Sequence, residues 1–331
     1  MLRKRSTPLR GEGMDYRRII RRGVVACVGL AALLGPARAE TLTILTGSMS
    51  GVYFPLGSTL ASIYSKALPD LQASAQVTPG SVENLVLLQA GDGDLGFALG
   101  DTLDSAWNGD PDVGFRSRMD KLRGLSALYL NYVQIVASTQ SGIQSLADLK
   151  GKRVSVGAER SGTELNARVV FQAAGVAYQD LGKVSYAPFG ASAQMLEKGQ
   201  LDASLQSAGL GVDSIRHLFE VAAVRLVPVP PDLVARINNP VYVAAPIPAA
   251  TYRGQAADVP TAAIGNFLVT REGTSDRLAY AMTKLLFDSL DQLVRTHPAA
   301  KGINVRDALR GMPIPLHPGA EKYYRDIGLL N

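Results

Sequence analysis

Cysteine and histidine are scarce in this 331-residue chain: there is one cysteine, Cys27, and three histidines, His217, His297 and His317, widely spaced. A lone thiol excludes an internal disulfide and any multi-cysteine metal site. Three scattered histidines give no local metal-ligand spacing. Charged residues are also sparse, at 19%, against 47% hydrophobic ones, which excludes a disordered chain. No apolar run approaches the roughly 20 residues of a transmembrane helix. Walker A, H-E-x-x-H and G-x-S-x-G motifs are absent. Gly91-Asp-Gly-Asp-Leu-Gly96 matches the letters of a dinucleotide fingerprint, but it follows a helix-like segment and precedes a strand-like one, the reverse of the required order. Asp92 and Asp94 would also repel a pyrophosphate. No local carboxylate pair singles out an acid and a base. These absences predict a binding protein and not an enzyme, with no cofactor and no metal.

The chain has a net charge of +5, which raises the question of a nucleic-acid partner. Nine of its 34 basic residues and two of its 29 acidic ones lie in residues 1–39, so 25 basic against 27 acidic remain beyond. The basic excess belongs to the N-terminus, and no nucleic-acid role is expected. There, Arg17-Arg18-Ile-Ile-Arg21-Arg22 precedes an apolar stretch from Gly23 to Leu34, then Gly35, Pro36 and Ala37-Arg38-Ala39. A basic segment, a short apolar core and an A-x-A site are the layout of a cleavable secretory signal. Residues 1–39 are therefore expected to be a signal peptide, cleaved near Ala39-Glu40, with export to the periplasm. Met14 is an alternative start. Removal of the signal also removes Cys27.

Beyond it, strand-like and helix-like segments alternate. Strands are predicted at 41–46, 72–77 and 95–99, with helical faces at Leu56, Leu60, Ile63 and Ala67 and from Ser81 to Gln89. The pattern restarts with strands at 132–137, 153–156, 184–186 and 203–206, and helices at 162–174 and 191–198. Residues 228–260 are Pro-rich and read as irregular. A strand at 262–269 and a long helix marked by Leu278, Met282, Leu285 and Leu286 follow. Alternation of this kind predicts parallel sheets with helical crossovers, here as two α/β lobes. Ligands of such sheets bind beyond the carboxyl ends of the strands. The loops expected to carry function are 47–51, 78–81, 100–101, 157–163 and 206–208.

Ser161-Gly-Thr-Glu164 has the form of a capping box directly after a strand and loop. A helix start of this kind suits a carboxylate or phosphate. Gly80-Ser81 opens a second helix toward the same side. Gly47–Gly51 allows close backbone approach, Tyr53 and Phe54 are candidate walls, and Arg160 is a candidate partner for a ligand carboxylate.

At these loops the sequence resembles the TAXI family of solute receptors for tripartite ATP-independent periplasmic (TRAP) transporters. The resemblance is carried by Thr46-Gly-Ser-Met-Ser-Gly-Val-Tyr-Phe-Pro-Leu-Gly57, Gly80-Ser-Val-Glu-Asn-Leu-Val-Leu-Leu-Gln-Ala-Gly91 and Ser145-Leu-Ala-Asp-Leu-Lys-Gly-Lys-Arg-Val154. Ser161-Gly-Thr-Glu-Leu-Asn-Ala-Arg168 and Pro315-Leu-His-Pro-Gly-Ala320 extend it, so that it spans nearly all of the chain after the signal. It implies a two-lobe, type II periplasmic-binding-protein fold that closes on a small organic acid, amino-acid-like or a mono- or dicarboxylate. It implies delivery to a TRAP permease driven by an ion gradient. By analogy Gly47, Ser48, Met49 and Tyr53 line the first lobe's side with Ser81 and Asn84, while Ser161, Gly162 and Thr163 grip an anionic group from the second, with Gln206 and Ser207 nearby. Lobe one is expected at 41–130 with 262–331, and lobe two at 131–261. Ser48, Met49, Ser50 and Phe54 depart from the family's first loop, Glu159 and Arg160 from its second, and Asn131 stands where the family is often acidic. Met49 and Arg160 together suggest a ligand with an apolar stem and a carboxylate. The alternatives are a binding protein of the same fold serving a sensor or an ABC importer and, more distantly, a periplasmic enzyme.

Overall fold

The computed structural model describes residues 40–331. The expected signal peptide, with Cys27, lies outside the described residues.

The first part of the chain runs β1 (Glu40–Leu45), α1 (Tyr53–Ala67), β2 (Leu71–Gln76), α2 (Ser81–Ala90), β3 (Leu95–Leu99) and α3 (Gly100–Asn108). A long strand, β4 (Leu122–Ser138), leads into β5 (Arg153–Ser155), α4 (Gly162–Ala173), β6 (Lys183–Ser185), α5 (Phe189–Glu197), β7 (Ala203–Ala208) and α6 (Asp213–Val221). Then come β8 (Val224–Val227), α7 (Pro231–Arg236), β9 (Val243–Ile247), a second long strand β10 (Val259–Arg271), α8 (Asp276–Asp288), α9 (Leu290–Thr296) and α10 (Pro318–Asp326).

The strands form one sheet in the order β2-β1-β3-β10-β4-β7-β5-β6, with β8 also on β4 and β9 also on β10. β1 and β3 are parallel, as are β7, β5 and β6. The two parallel groups are joined by β10 and β4, which run antiparallel to each other and to their neighbours. Each serves both groups. β10 pairs with β3 through Asn266–Thr270 and with β9 through Val259–Ala263. β4 pairs with β10 from Leu122 to Tyr132 and with β7 from Tyr132 to Ala137. Their mutual register slips between Gly265 and Phe267 and again between Leu268 and Val269, irregularities that add local bend and twist. Two helix-flanked half-sheets joined by two crossing strands make the two-lobe periplasmic-binding-protein fold.

Alternation along the strands decides which layer each side chain enters. On β4, Val133, Ile135 and Ala137 face α4 and α7, while Leu125, Leu128, Tyr129 and Val136 face the opposite layer of α1, α5, α6 and α8–α10. A third cluster places Leu85, Leu88, Leu103 and Ala106 of α2 and α3 on Ala98, Phe267 and Val269. β3 is buried at every residue, as a central parallel strand requires. β4 begins at Leu122 instead of Tyr132, and β10 covers 259–271. α3, α6, α7, α9, β8 and β9 were not legible, being short or weakly periodic; α3 has buried apolar side chains only at Leu103 and Ala106. The stretch 228–260, read as irregular, contains α7 and β9.

Candidate ligand-binding site

The chain turns from the carboxyl ends of β1, β2, β3, β5, β6 and β7 toward one cavity. After β1 it contributes Gly47, Ser48, Gly51, Val52 and Tyr53; after β2, Pro79, Gly80 and Ser81; from the end of β3, Leu99. From the second half-sheet come Ala158 and Ser161–Thr163, Pro188 and Phe189, and Ser207 and Ala208, and β4 adds Tyr129 and Asn131. The volume is about 50 Å³.

Five helices begin at this cavity: α1, α2, α3, α4 and α5, of 15, 10, 9, 12 and 9 residues. The first N–H groups of a helix have no partner within it, and its dipole places partial positive charge there. Only α4 has a side-chain cap, with Ser161 Oγ accepting from Glu164 N at 3.2 Å; the other four have none. Among the described residues, no Asp, Glu, Lys, Arg or His lines the cavity. The wall is therefore positive through its main chain alone, and chemically suited to an anion.

Of the residues singled out from sequence, Gly47, Ser48, Tyr53, Ser81, Ser161, Gly162, Thr163 and Ser207 are brought together around this space. Met49 is not among them and is 69% exposed. Asn84 is buried below it, donating to the carbonyls of Thr46 (2.7 Å) and Phe97 (2.9 Å) and accepting from Thr78 Oγ1 (2.6 Å). Gln206 is also buried; its Oε1 accepts from Ser214 Oγ at 2.6 Å, and its Nε2 has no partner among the described residues. Arg160 has φ of 59° and lies outside the cavity, with Nε 2.8 Å from Glu83 Oε2. Its carbonyl accepts from Glu83 N at 3.2 Å, so this residue ties the two lobes together.

Leu99, Tyr129, Pro188 and Phe189 were missed. Pro188 and Phe189 follow a predicted strand, so the strand-end rule would have reached them. Tyr129 had no such signal. It is 4% exposed, and its hydroxyl has no hydrogen-bond partner among the described residues. Burial, with a smaller contribution from Tyr53, pushes its phenol well above the ordinary value. Burial also raises the Tyr53 phenol, partly offset by the Ser81 hydroxyl.

The lobes meet closely around the cavity. A Cβ at Gly162 would lie 2.7 Å from Leu99 Cδ1, 2.8 Å from Ser81 Oγ and 3.0 Å from Thr102 Oγ1. Gly80 has φ of 134°, which L side chains rarely adopt, and packs on Ser161.

Comparison with known proteins agrees with this architecture. The family model described as the NMT1-like family matches residues 44–328, and the chain belongs to that family. Among solved structures it is similar to MatC from Rhodopseudomonas palustris with bound malate, at 15% identity and TM-score 0.56, over 87% of this chain and 96% of that one. It is similar to PhnD1 from Prochlorococcus marinus in complex with methylphosphonate, at 14% identity and TM-score 0.55, over 88% of this chain and 100% of that one. A candidate L-cystine ABC transporter from Listeria monocytogenes matches at 14% identity and TM-score 0.50, over 80% and 98% of the two chains. At these identities the likeness is one of fold.

Proposed function

We propose that this protein is a solute receptor that captures a small organic acid between its lobes and delivers it to a membrane transporter. The observation that carries this reading is the convergence of five helix N-termini on a small cavity with no charged side chain in its wall. The NMT1-like match and the fold shared with proteins holding malate and methylphosphonate support it. Binding without chemical turnover is proposed on the same wall, which offers no acid or base of ordinary pKa. The lobe limits we propose are 41–130 with 262–331, and 131–261; both changes of lobe fall inside the crossing strands β4 and β10.

The test is thermal unfolding of purified protein, freed of bound solute, against mono- and dicarboxylates, amino acids and phosphonates. A ligand at 100 times its Kd stabilises by about 2.7 kcal/mol, an obvious shift. A saturable solute recovered unchanged supports the reading; no response from any small anion overturns it.

For the transporter, the fold likeness to the candidate ABC protein supports an ATP-driven importer as partner. The loop motifs resembling TAXI receptors favour a TRAP permease. Receptor-dependent uptake that stops with an ATPase inhibitor supports the first, and uptake that stops with an ionophore alone supports the second. The proposed location is the periplasm; an N-terminus at Glu40 on the protein from that compartment would support it.

A further inference from the structure

The cavity wall has a fixed hydrogen-bond polarity, set by a buried network that crosses between the lobes. The Tyr53 hydroxyl donates to Asn266 Oδ1. Asn266 is held in that orientation because its Nδ2 donates to the Tyr129 carbonyl (3.1 Å) and to Asn131 Oδ1 (2.8 Å). Asn131 is fixed in turn by donating from Nδ2 to the Ser207 carbonyl (3.0 Å). Carbonyls only accept, so both amides can face only one way. The Tyr53 hydrogen is thereby committed to Asn266, and the Tyr53 oxygen is left as an acceptor.

Ser207 is polarised from the other end. Its Oγ donates to Asn166 Oδ1 at 2.5 Å. Asn166 Nδ2 turns one hydrogen toward the pair formed by Asp101 Oδ2 (2.6 Å) and Tyr242 Oη (2.8 Å). The Tyr242 hydroxyl itself donates to Asp101 Oδ2 at 2.5 Å, and Thr102 N donates to Asp101 Oδ1 at 2.7 Å. No backbone group fixes the Asn166 amide. The Asp101 carboxylate does, because a reversed amide would set its oxygen against that charge. Asp101 therefore dictates that Ser207 gives its hydrogen away from the cavity and offers it only lone pairs. Burial, opposed by the bonds from Tyr242 and Thr102, raises the Asp101 carboxyl above its ordinary value.

The cavity thus has a donor-rich side, the helix starts at Ser81 and Gly162, and a committed acceptor, Ser207 Oγ, while the Tyr53 oxygen already has the Ser81 hydroxyl beside it. Asn131 keeps one amide hydrogen, and the unpartnered Tyr129 hydroxyl serves in either sense. We propose that the solute carries a hydrogen-bond donor, a protonated amine or a hydroxyl, beside its carboxylate, and that Asp101 is the positioning residue that makes the site demand it. This rests on the acid-receptor reading above and narrows it to amino and hydroxy acids over plain acids. A plain acid would leave the buried Ser207 acceptor unmatched, which weakens binding by about tenfold or more.

The experiment compares dissociation constants by calorimetry in matched pairs: alanine and propionate, malate and succinate, glutamate and glutarate. In any pair that binds, the donor-bearing member is expected to be at least about tenfold tighter. Equal affinity within every binding pair overturns the proposal and leaves the receptor reading standing. Binding of no pair by folded protein, with no response from any other small anion, overturns both. In Asp101→Asn the Asn166 amide is released, Ser207 can turn its hydrogen to the cavity, and the affinity ratio is expected to fall below threefold. A folded Asp101→Asn that keeps the ratio refutes the positioning role. Should that variant fail to fold, Ser207→Ala deletes the acceptor with little change of volume, and an unchanged ratio there is equally decisive against the proposal.

Discussion

Asn84 lies in the first turn of α2, beside the cavity, yet all its polar atoms serve the strand ends below. Two carbonyls and the Thr78 hydroxyl depend on it. Asn84→Ala is expected to destabilise the protein by about 2–3 kcal/mol, the cost of stranding buried polar groups, readable in urea unfolding. Gly162 makes the opposite case, because its missing side chain is what the site uses. With Leu99, Ser81 and Thr102 within 3.0 Å of where a Cβ would sit, Gly162→Ala is expected to hold the lobes apart and weaken ligand affinity at least about tenfold by calorimetry. Single residues were legible where local spacing carried the message, as in the capping pattern from Ser161 to Glu164. Arg160 was not, because its left-handed backbone and its ion pair with Glu83 of the other lobe depend on contacts remote in sequence.

At the level of elements, two helix starts away from the cavity are closed by side chains, α8 by Ser275 and α10 by His317. α10 is closed by a histidine. His317 Nδ1 accepts from Gly319 N at 3.1 Å, while Nε2 bonds the Thr274 carbonyl at 2.9 Å, a pairing that needs the neutral ring. His297 Nδ1 likewise accepts from Ala299 N at 3.1 Å. Burial lowers both below the ordinary 6.5. The folded state then binds these protons less readily than the unfolded chain. Stability from the two rings is complete above about pH 6.5 and is lost as pH falls below it. Chemical unfolding at pH 7.5 and 5.5 is expected to show that loss, and His317→Asn, which retains a capping oxygen, is expected to reduce it. The sequence made the strongly periodic elements plain, among them β1, β3, α4 and β7. It hid the full reach of β4, whose first half is recruited by pairing with β10, and it hid α3, whose apolar face is two residues wide.

For the molecule as a whole, order along the chain was readable and closure was not. Alternation implied two α/β units, but which loops meet depends on two long strands slipping register against each other. The lining has an immediate consequence for binding. With no side chain of ordinary pKa in the wall between pH 6 and 8.5, affinity for a solute whose own charge is constant there is expected to stay level across that range. Calorimetric titration at intervals checks this; a steep change would reveal a titrating group coupled to the site, in contact with the solute or, as with Asp101, behind the wall.

The pull of this cavity on a negative charge comes from peptide units at the starts of five helices. A codon change replaces a side chain and leaves the peptide dipole where it was. Substitutions in a lineage of such genes can therefore trade one guest for another through Ser207, Tyr53 or Tyr129. The preference for an acid proposed above would be far harder for them to erase, since it would be inherited with the path of the main chain itself.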